Sequence, residues 1–283
     1  MNPTMTAVRA GLSRGRIELK QTLTTRADLV GFVFRIGALL AVMIWTRHTR
    51  LPGTDFSLGT ATLASVLGLN FVVYGVVTMG DLLVVEREDG TLLRAKATPN
   101  GMLGYLLGKV VSISGQVALS VAITLFIGGF LLTGLAIGSP GRWLTLTWVL
   151  VLGLLATLPL GAVLGSLFAS QRSAGPWWLL LLGGLSSVSG IFYPITHLPA
   201  FLQWTGQLFP LYWLGLGMRS ALLPNATAAV EIGHSWRHLA TFGVLSAWAV
   251  AGIALAPAML RRTARRESGS AVAARREKSL RKA

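Results

Sequence analysis

Glu86-Arg87-Glu88-Asp89-Gly90-Thr91-Leu92, closing at Thr98-Pro99, sets a dense cluster of charge between two apolar runs that are each long enough to cross a bilayer. Four charged side chains in succession have no place in hydrocarbon, so the chain must leave the membrane here and turn back. Gly90 breaks or caps the helix that carries the charges, and Leu92, Leu93 and Ala97 give the returning arm an apolar side. Charges of both signs beside a short apolar face suit a partner surface. A solvated turn with no partner has the same composition.

Working outward from this turn, apolar runs extend over Leu29 to Thr46, Leu58 to Gly80, Val110 to Ile137, Trp143 to Ala169, Gly175 to Ile195 and Leu239 to Leu260. A spanning helix needs about 20 mostly apolar residues. The chain is 53% hydrophobic and 12% charged, with a mean hydropathy of +0.63, which excludes an ordinary soluble domain. The expected fold class is an all-α integral membrane protein of six transmembrane helices in one domain, 29–260. The first run follows a basic leader, 1–28, and lacks a small-x-small cleavage site, so it is expected to persist as a helix.

The net charge of +15 sets topology and does not indicate nucleic acid. The leader holds Arg9, Arg14, Arg16, Lys20 and Arg26; the charged turn and its flank hold Arg87, Arg94, Lys96 and Lys109; the fourth loop holds Arg172; and nine basic residues follow Leu260. Only Arg47, Arg50, Arg142, Arg219 and Arg237 fall to the other side, so both termini are expected in the cytoplasm of a multi-pass plasma (inner) membrane protein. The tail, 261–283, reads as a disordered basic segment that associates with anionic headgroups.

Within the leader, Met5, Val8, Leu12, Leu19 and Leu23 share one helical face away from Arg9, Arg14 and Lys20. This fits a helix lying on the anionic inner leaflet, with membrane lipids as its partner. A solvated basic leader is the alternative, given Gly11 and Gly15 within it. The stretch from Thr196 to His238 is too apolar for a free loop, yet Pro199, Gly206, Pro210, Gly215, Gly217 and Pro224 interrupt it. Two short helices, Leu198 to Leu208 and Leu211 to Leu222, are expected to dip into the outer leaflet against protein, making 196–224 re-entrant before the sixth span. A seventh full span would place the basic tail outside. Leu51-Pro52-Gly53-Thr54 and Ser139-Pro140-Gly141 are turn signals, and Ser170 to Ala174 forms a tight turn.

Cys is absent, which excludes disulfides, thiol nucleophiles and thiolate metal sites. His48, His197, His234 and His238 read as solvated loop histidines, so no metal is expected. Gly104 to Val110 falls one residue short of a phosphate-binding loop and lacks its hydroxyl, and its small-xxx-small spacing, like Gly161 to Gly165, suits close helix packing instead. Neither a Ser-His-Asp nor a paired-carboxylate arrangement reaches membrane depth, so no catalytic residues are expected. Arg35 lies about two turns into the first span, where it either anchors the helix by reaching the surface, with Asp28 or Asp81 as partner, or serves transport. Asn70, Gln116 and Thr124 suit helix-helix hydrogen bonds. Pro159 is expected to bend the fourth span.

Glu86 to Leu92 with Pro99 resembles the E-R-E-x-G-T-L...P element of type-two ABC exporter permeases, particularly their daunorubicin-resistance branch. Gly190-Ile191-Phe192-Tyr193-Pro194, Leu198-Pro199, Phe209-Pro210-Leu211-Tyr212 and Arg219 look like the G-x-F-x-P...LP...P-x-x-Y/W...R signature of that family. The resemblance covers nearly the whole chain, in order. It implies a subunit that pairs with a second copy or a paralogous permease. Its coupling element, about 84–100 with Glu86, Arg87, Glu88, Asp89, Gly90 and Thr91, would engage an ABC ATPase on another polypeptide. ATP and magnesium would then sit on that partner, and this chain would bind no cofactor. The cargo implied is an amphipathic drug-like compound or lipid-linked molecule moved outward, with a polysaccharide or glycolipid as the alternative. Phe192, Pro194, Pro199, Phe201, Trp204, Phe209, Pro210 and Arg219 would form the outer gate. Trp213 follows Tyr212 where members of that family vary, so the aromatic position does not choose a substrate. A reading of another class stays open: a membrane scaffold that uses the charged turn and basic tail to recruit a cytoplasmic partner.

Overall fold

A computed structural model describes residues 3–50, 56–97 and 100–266. The turn signal at 51–54, Thr98-Pro99 and most of the basic tail lie outside these residues. Among the described residues the fold is helical, with one isolated bridge between Arg50 and Ser57. The helices are α1 (Pro3–Thr24), α2 (Arg26–Thr46), α3 (Leu58–Phe71), α4 (Met79–Glu88), α5 (Thr91–Lys96), α6 (Gly101–Leu131), α7 (Pro140–Leu167), α8 (Gln171–Val188), α9 (Ala200–Leu208), α10 (Pro210–Leu222) and α11 (His238–Arg266). Between α3 and α4, Val72–Thr78 is π-helical, so the chain runs as one helix from Leu58 to Glu88.

Five of these segments are long and apolar enough to cross a membrane: α2, the α3–α4 helix, α6, α7 and His238–Met259 of α11. The fifth expected run corresponds to α8, which has 18 residues, opens on Gln171-Arg172-Ser173 and is diluted by glycine and serine. Its end falls well before Ile195, because Gly190 turns the backbone at φ +63°. Conversely, α4 runs past Gly80 into the charged turn, and α6 starts at Gly101 rather than Val110. The charged groups that would close these helices at a bilayer surface find partners on one another, so the helices continue.

Two elements form the axis of the core. Every residue of α3 from Gly59 to Phe71 is buried, and so is every residue of α10. Around them α7 packs along α11, and α10 lies against α3 and α7. Of the five long segments α2 is the least buried, leaving Val30, Val33, Phe34 and Trp45 exposed.

The leader is helical and is seated on α6. Gly11 lies so close to the Gly104 carbonyl, and Gly15 to the Gly108 carbonyl, that a Cβ at either would stand 2.6 Å from it. The two glycines that argued against a leader helix are therefore its contact face, matched by small residues at the same spacing on α6. On the rest of α1, Met5, Leu12 and Leu23 are exposed, as are Arg9, Arg16 and Lys20.

Candidate functional site

The turn between α4 and α5 ends the most buried of the five long segments. Gly90, at φ +74°, closes α4 by donating its N–H to the Arg87 carbonyl at 3.2 Å, a left-handed cap that a side chain would strain. Beyond it, α5 buries Leu92, while Arg94 is exposed and donates to the Thr91 hydroxyl at 3.0 Å.

Only part of the charge at this turn faces outward. Glu86 Oε1 accepts from the buried Lys109 Nζ at 2.5 Å, and the same ammonium reaches Glu18 Oε2 at 3.0 Å. Arg14 Nε donates to Glu18 Oε1 at 2.8 Å and its guanidinium stands 3.9 Å from Glu86 Oε1. Both cations lie over the ring of the buried Tyr105, Arg14 at 5.1 Å and Lys109 at 5.8 Å. Burial of the Arg14 guanidinium works against its charge, but the hydrogen bond and charge of Glu18 and the charge of Glu86 more than offset this, so its pKa sits above the ordinary value. A neutral set of two acids and two bases thereby joins α1, α4 and α6. Of the remaining coupling residues, Arg87 is buried and Glu88 Oε2 accepts from the Gln171 N–H that opens α8, at 3.4 Å. Asp89 is exposed. Asp89 and Arg94 thus form the outward edge of the turn.

A second polar centre sits at the opposite end of the α3–α4 helix. Arg219 of α10 donates through Nε to Glu231 Oε1 at 2.6 Å and through Nη1 to Ser65 Oγ of α3 at 2.9 Å and the Gly190 carbonyl at 3.4 Å. Arg219 and Glu231 are both buried, and a void of about 30 Å3 adjoins them. One guanidinium therefore ties α10, α3, the turn after α8 and the segment before α11. Phe192 and Pro194 line the same void, whereas Pro199, Phe201, Trp204, Phe209 and Pro210 do not. Phe201 and Trp204 are exposed on α9 with Leu208 and form an outward ridge, Phe192 is exposed, and Phe209 is half-buried. Pro194 and Pro199 cap the starts of short helical turns, and Pro210 begins α10 in its buried core.

Among the intramembrane polar residues, Asn70 Nδ2 donates to Ser120 Oγ at 2.7 Å, joining α3 to α6. Gln116 Nε2 stands 3.5 Å from Ser112 Oγ on its own helix. Arg35 lies over the Tyr74 ring at 5.1 Å, and neither Asp28 nor Asp81 forms an ion pair with it.

Glu18, Lys109, Ser65 and Glu231 escaped the sequence reading. Glu231 carried a usable signal, since it is the only carboxylate between Asp89 and Glu267 and stands alone in a stretch of strong apolar character. Lys109 had a weaker one, a single cation at the opening of an apolar run.

These features define an all-helical, multi-pass membrane protein with a charged turn at the end of its central helix. Residues 49–251 match the model of the ABC-2 family transporter protein family. The chain belongs to that family, whose members are the permease components of ABC transporters and work with an ABC ATPase. No curated protein matches it.

Proposed function

We propose that this chain is the membrane subunit of an ABC exporter of the daunorubicin-resistance type, moving an amphipathic or lipid-linked molecule out of the cytoplasm while a separate ATPase supplies the energy. In this reading α8 is the fifth of six crossings, α9 and α10 are re-entrant on the outer side, and both basic termini face the cytoplasm. The buried face of α8 through Ala174, Trp178 and Ser186 supports its place in the bundle, and the positive-inside rule supports the orientation.

One observation carries the proposal. The turn that would meet the ATPase begins with Glu86, and Glu86 is ion-paired to α6 through Lys109, which also holds α1 through Glu18. A displacement of that turn is passed to three helices at once. Asp89 and Arg94 supply the contact edge, and the buried set behind them supplies the linkage.

Co-purification of the tagged full-length protein, followed by an ATPase assay on what accompanies it, tests this. Asp89→Lys with Arg94→Glu should lose the ATPase while the permease still folds. An ATPase retained at the wild-type level would move the docking site off this turn. Recovery of another cytoplasmic protein in its place would favour the scaffold reading.

A further inference from the structure

Between α1, α2, the π-helical stretch and α6 lies an open cleft of about 570 Å3, within the range of small-molecule sites. Helix geometry orders its lining by depth. Asp28 lies in the first turn of α2 and Arg35 stands seven positions later, about 10 Å further along the axis. On the neighbouring helix, Tyr74 and Asp81 have the same spacing. The Arg35 guanidinium lies over the ring of Tyr74, which is buried behind the lining, so Arg35 marks the deep end, while Asp28 and Asp81 stand at the mouth. Val73, Val77 and Leu82 supply apolar wall.

The charge of this cleft is unbalanced by position. Arg14, Lys109, Glu18 and Glu86 neutralise one another. That leaves Arg35 as the cation inside and Asp28 and Asp81 as the acids outside. Among the described residues Arg35 has no ion-pair partner, and its Nε is buried with no hydrogen-bond partner. Asp28 is exposed, and Asp81 accepts from the Gln171 side-chain amide at 3.3 Å. One guanidinium nitrogen, Nε, is thus withdrawn from water with its donor unused on a half-buried side chain that lines the cleft, an arrangement that suits an anionic group.

We propose that this cleft binds a zwitterionic amphiphile from the inner leaflet, its anionic group on Arg35, its ammonium between Asp28 and Asp81, and its chain along Val73, Val77 and Leu82. The inference rests on the cytoplasm-facing orientation proposed above. A purely anionic amphiphile meets two carboxylates on the way in. A purely cationic one can engage Asp28 and Asp81 but leaves Arg35 without an anion.

The full-length protein, purified in dodecyl maltoside without any ATPase, is titrated with three amphiphiles of equal chain length: lauroyl-lysophosphatidylethanolamine, lauroyl-lysophosphatidylglycerol and dodecylamine. Glycerophosphoethanolamine is the chain-free control. The ethanolamine lipid should bind at least about tenfold more tightly than the other two, and Arg35→Gln should remove that advantage while Arg35→Lys keeps part of it. Asp28→Asn with Asp81→Asn, which leaves Arg35 intact, should turn the preference toward the glycerol lipid. Equal affinity for all three, or a wild-type preference in Arg35→Gln, overturns the proposal. Equally tight binding of glycerophosphoethanolamine would overturn the amphiphile in favour of a soluble zwitterion. Because no ATPase is present, failure of this binding leaves the permease assignment standing, and failed co-purification leaves the binding result readable.

Discussion

Lys109 Nζ stands 2.5 Å from Glu86 Oε1, and the lysine is buried. The first acid of the charged turn is therefore ion-paired inside the chain through Oε1, so a charge reversal there does more than alter an outer surface. Glu86→Lys would place two cations at this distance and disturb three helices, so a lost ATPase in that variant would not identify a contact.

Removing the ammonium is the direct test of the linkage. Lys109→Met leaves the Glu86 and Glu18 carboxylates with Arg14 alone between them, bonded to Glu18 and 3.9 Å from Glu86, and stranding Glu86 in this way should cost about 3 kcal/mol. The unfolding midpoint of the detergent-solubilised protein should fall. Adding Glu86→Gln should restore part of it, because the second substitution removes the stranded charge. Additive losses would mean that the two side chains do not act as a pair.

Gly15 sets two magnitudes against each other. Alanine gains about 1 kcal/mol of helix propensity over glycine, yet its Cβ would meet the Gly108 carbonyl at 2.6 Å and the Val111 side chain at 2.7 Å. Overpacking of this kind costs about 1–3 kcal/mol. Gly15→Ala should therefore lower the unfolding midpoint and expose α1 to limited proteolysis, whereas Ser13→Ala, on the exposed side of the same helix, should do neither. A stabilised Gly15→Ala would show that α1 does not rest on α6.

Much of this architecture is legible in the sequence where local chemistry decides it. The starts of α9 and α10 lie within two residues of the expected ones because Pro199 and Pro210 fix them, and Gly90 ends α4 as a left-handed cap must. Pairing between distant positions is not legible. Lys109 and Glu18 are 91 positions apart, and Arg219 and Ser65 are 154 apart, so no local period points from one to the other. Depth is also hidden, because an ion pair lets an apolar helix carry charge past the boundary that hydropathy alone would set. The sequence reading accordingly aimed Glu86 and Arg87 outward, while the fold leaves Asp89 and Arg94 there.

At the other end of the bundle, Arg219→Met strands the buried Glu231 carboxylate. Breaking such a pair from one side costs about 3–5 kcal/mol. Arg219→Met combined with Glu231→Gln should be milder than Arg219→Met alone, as read from unfolding midpoints by scanning fluorimetry. If the double variant were worse, the Glu231 carboxylate would be stabilised by partners other than Arg219, and the pair would not be the source of the loss.

The natural absence of cysteine makes topology measurable without background. If α8 crosses, a cysteine at Asn225 lies outside the cell while cysteines at Arg94 and Ser268 lie inside. A membrane-impermeant maleimide on intact cells should then label Asn225→Cys alone, and inverted vesicles should label Arg94→Cys and Ser268→Cys. If α8 does not cross, α11 must run the other way, Asn225→Cys becomes cytoplasmic and Ser268→Cys external. That arrangement would export the nine basic residues after Leu260, against the retention that positive charge imposes on short flanks. The first pattern supports six crossings; the second leaves only the five segments that length and apolarity already identify.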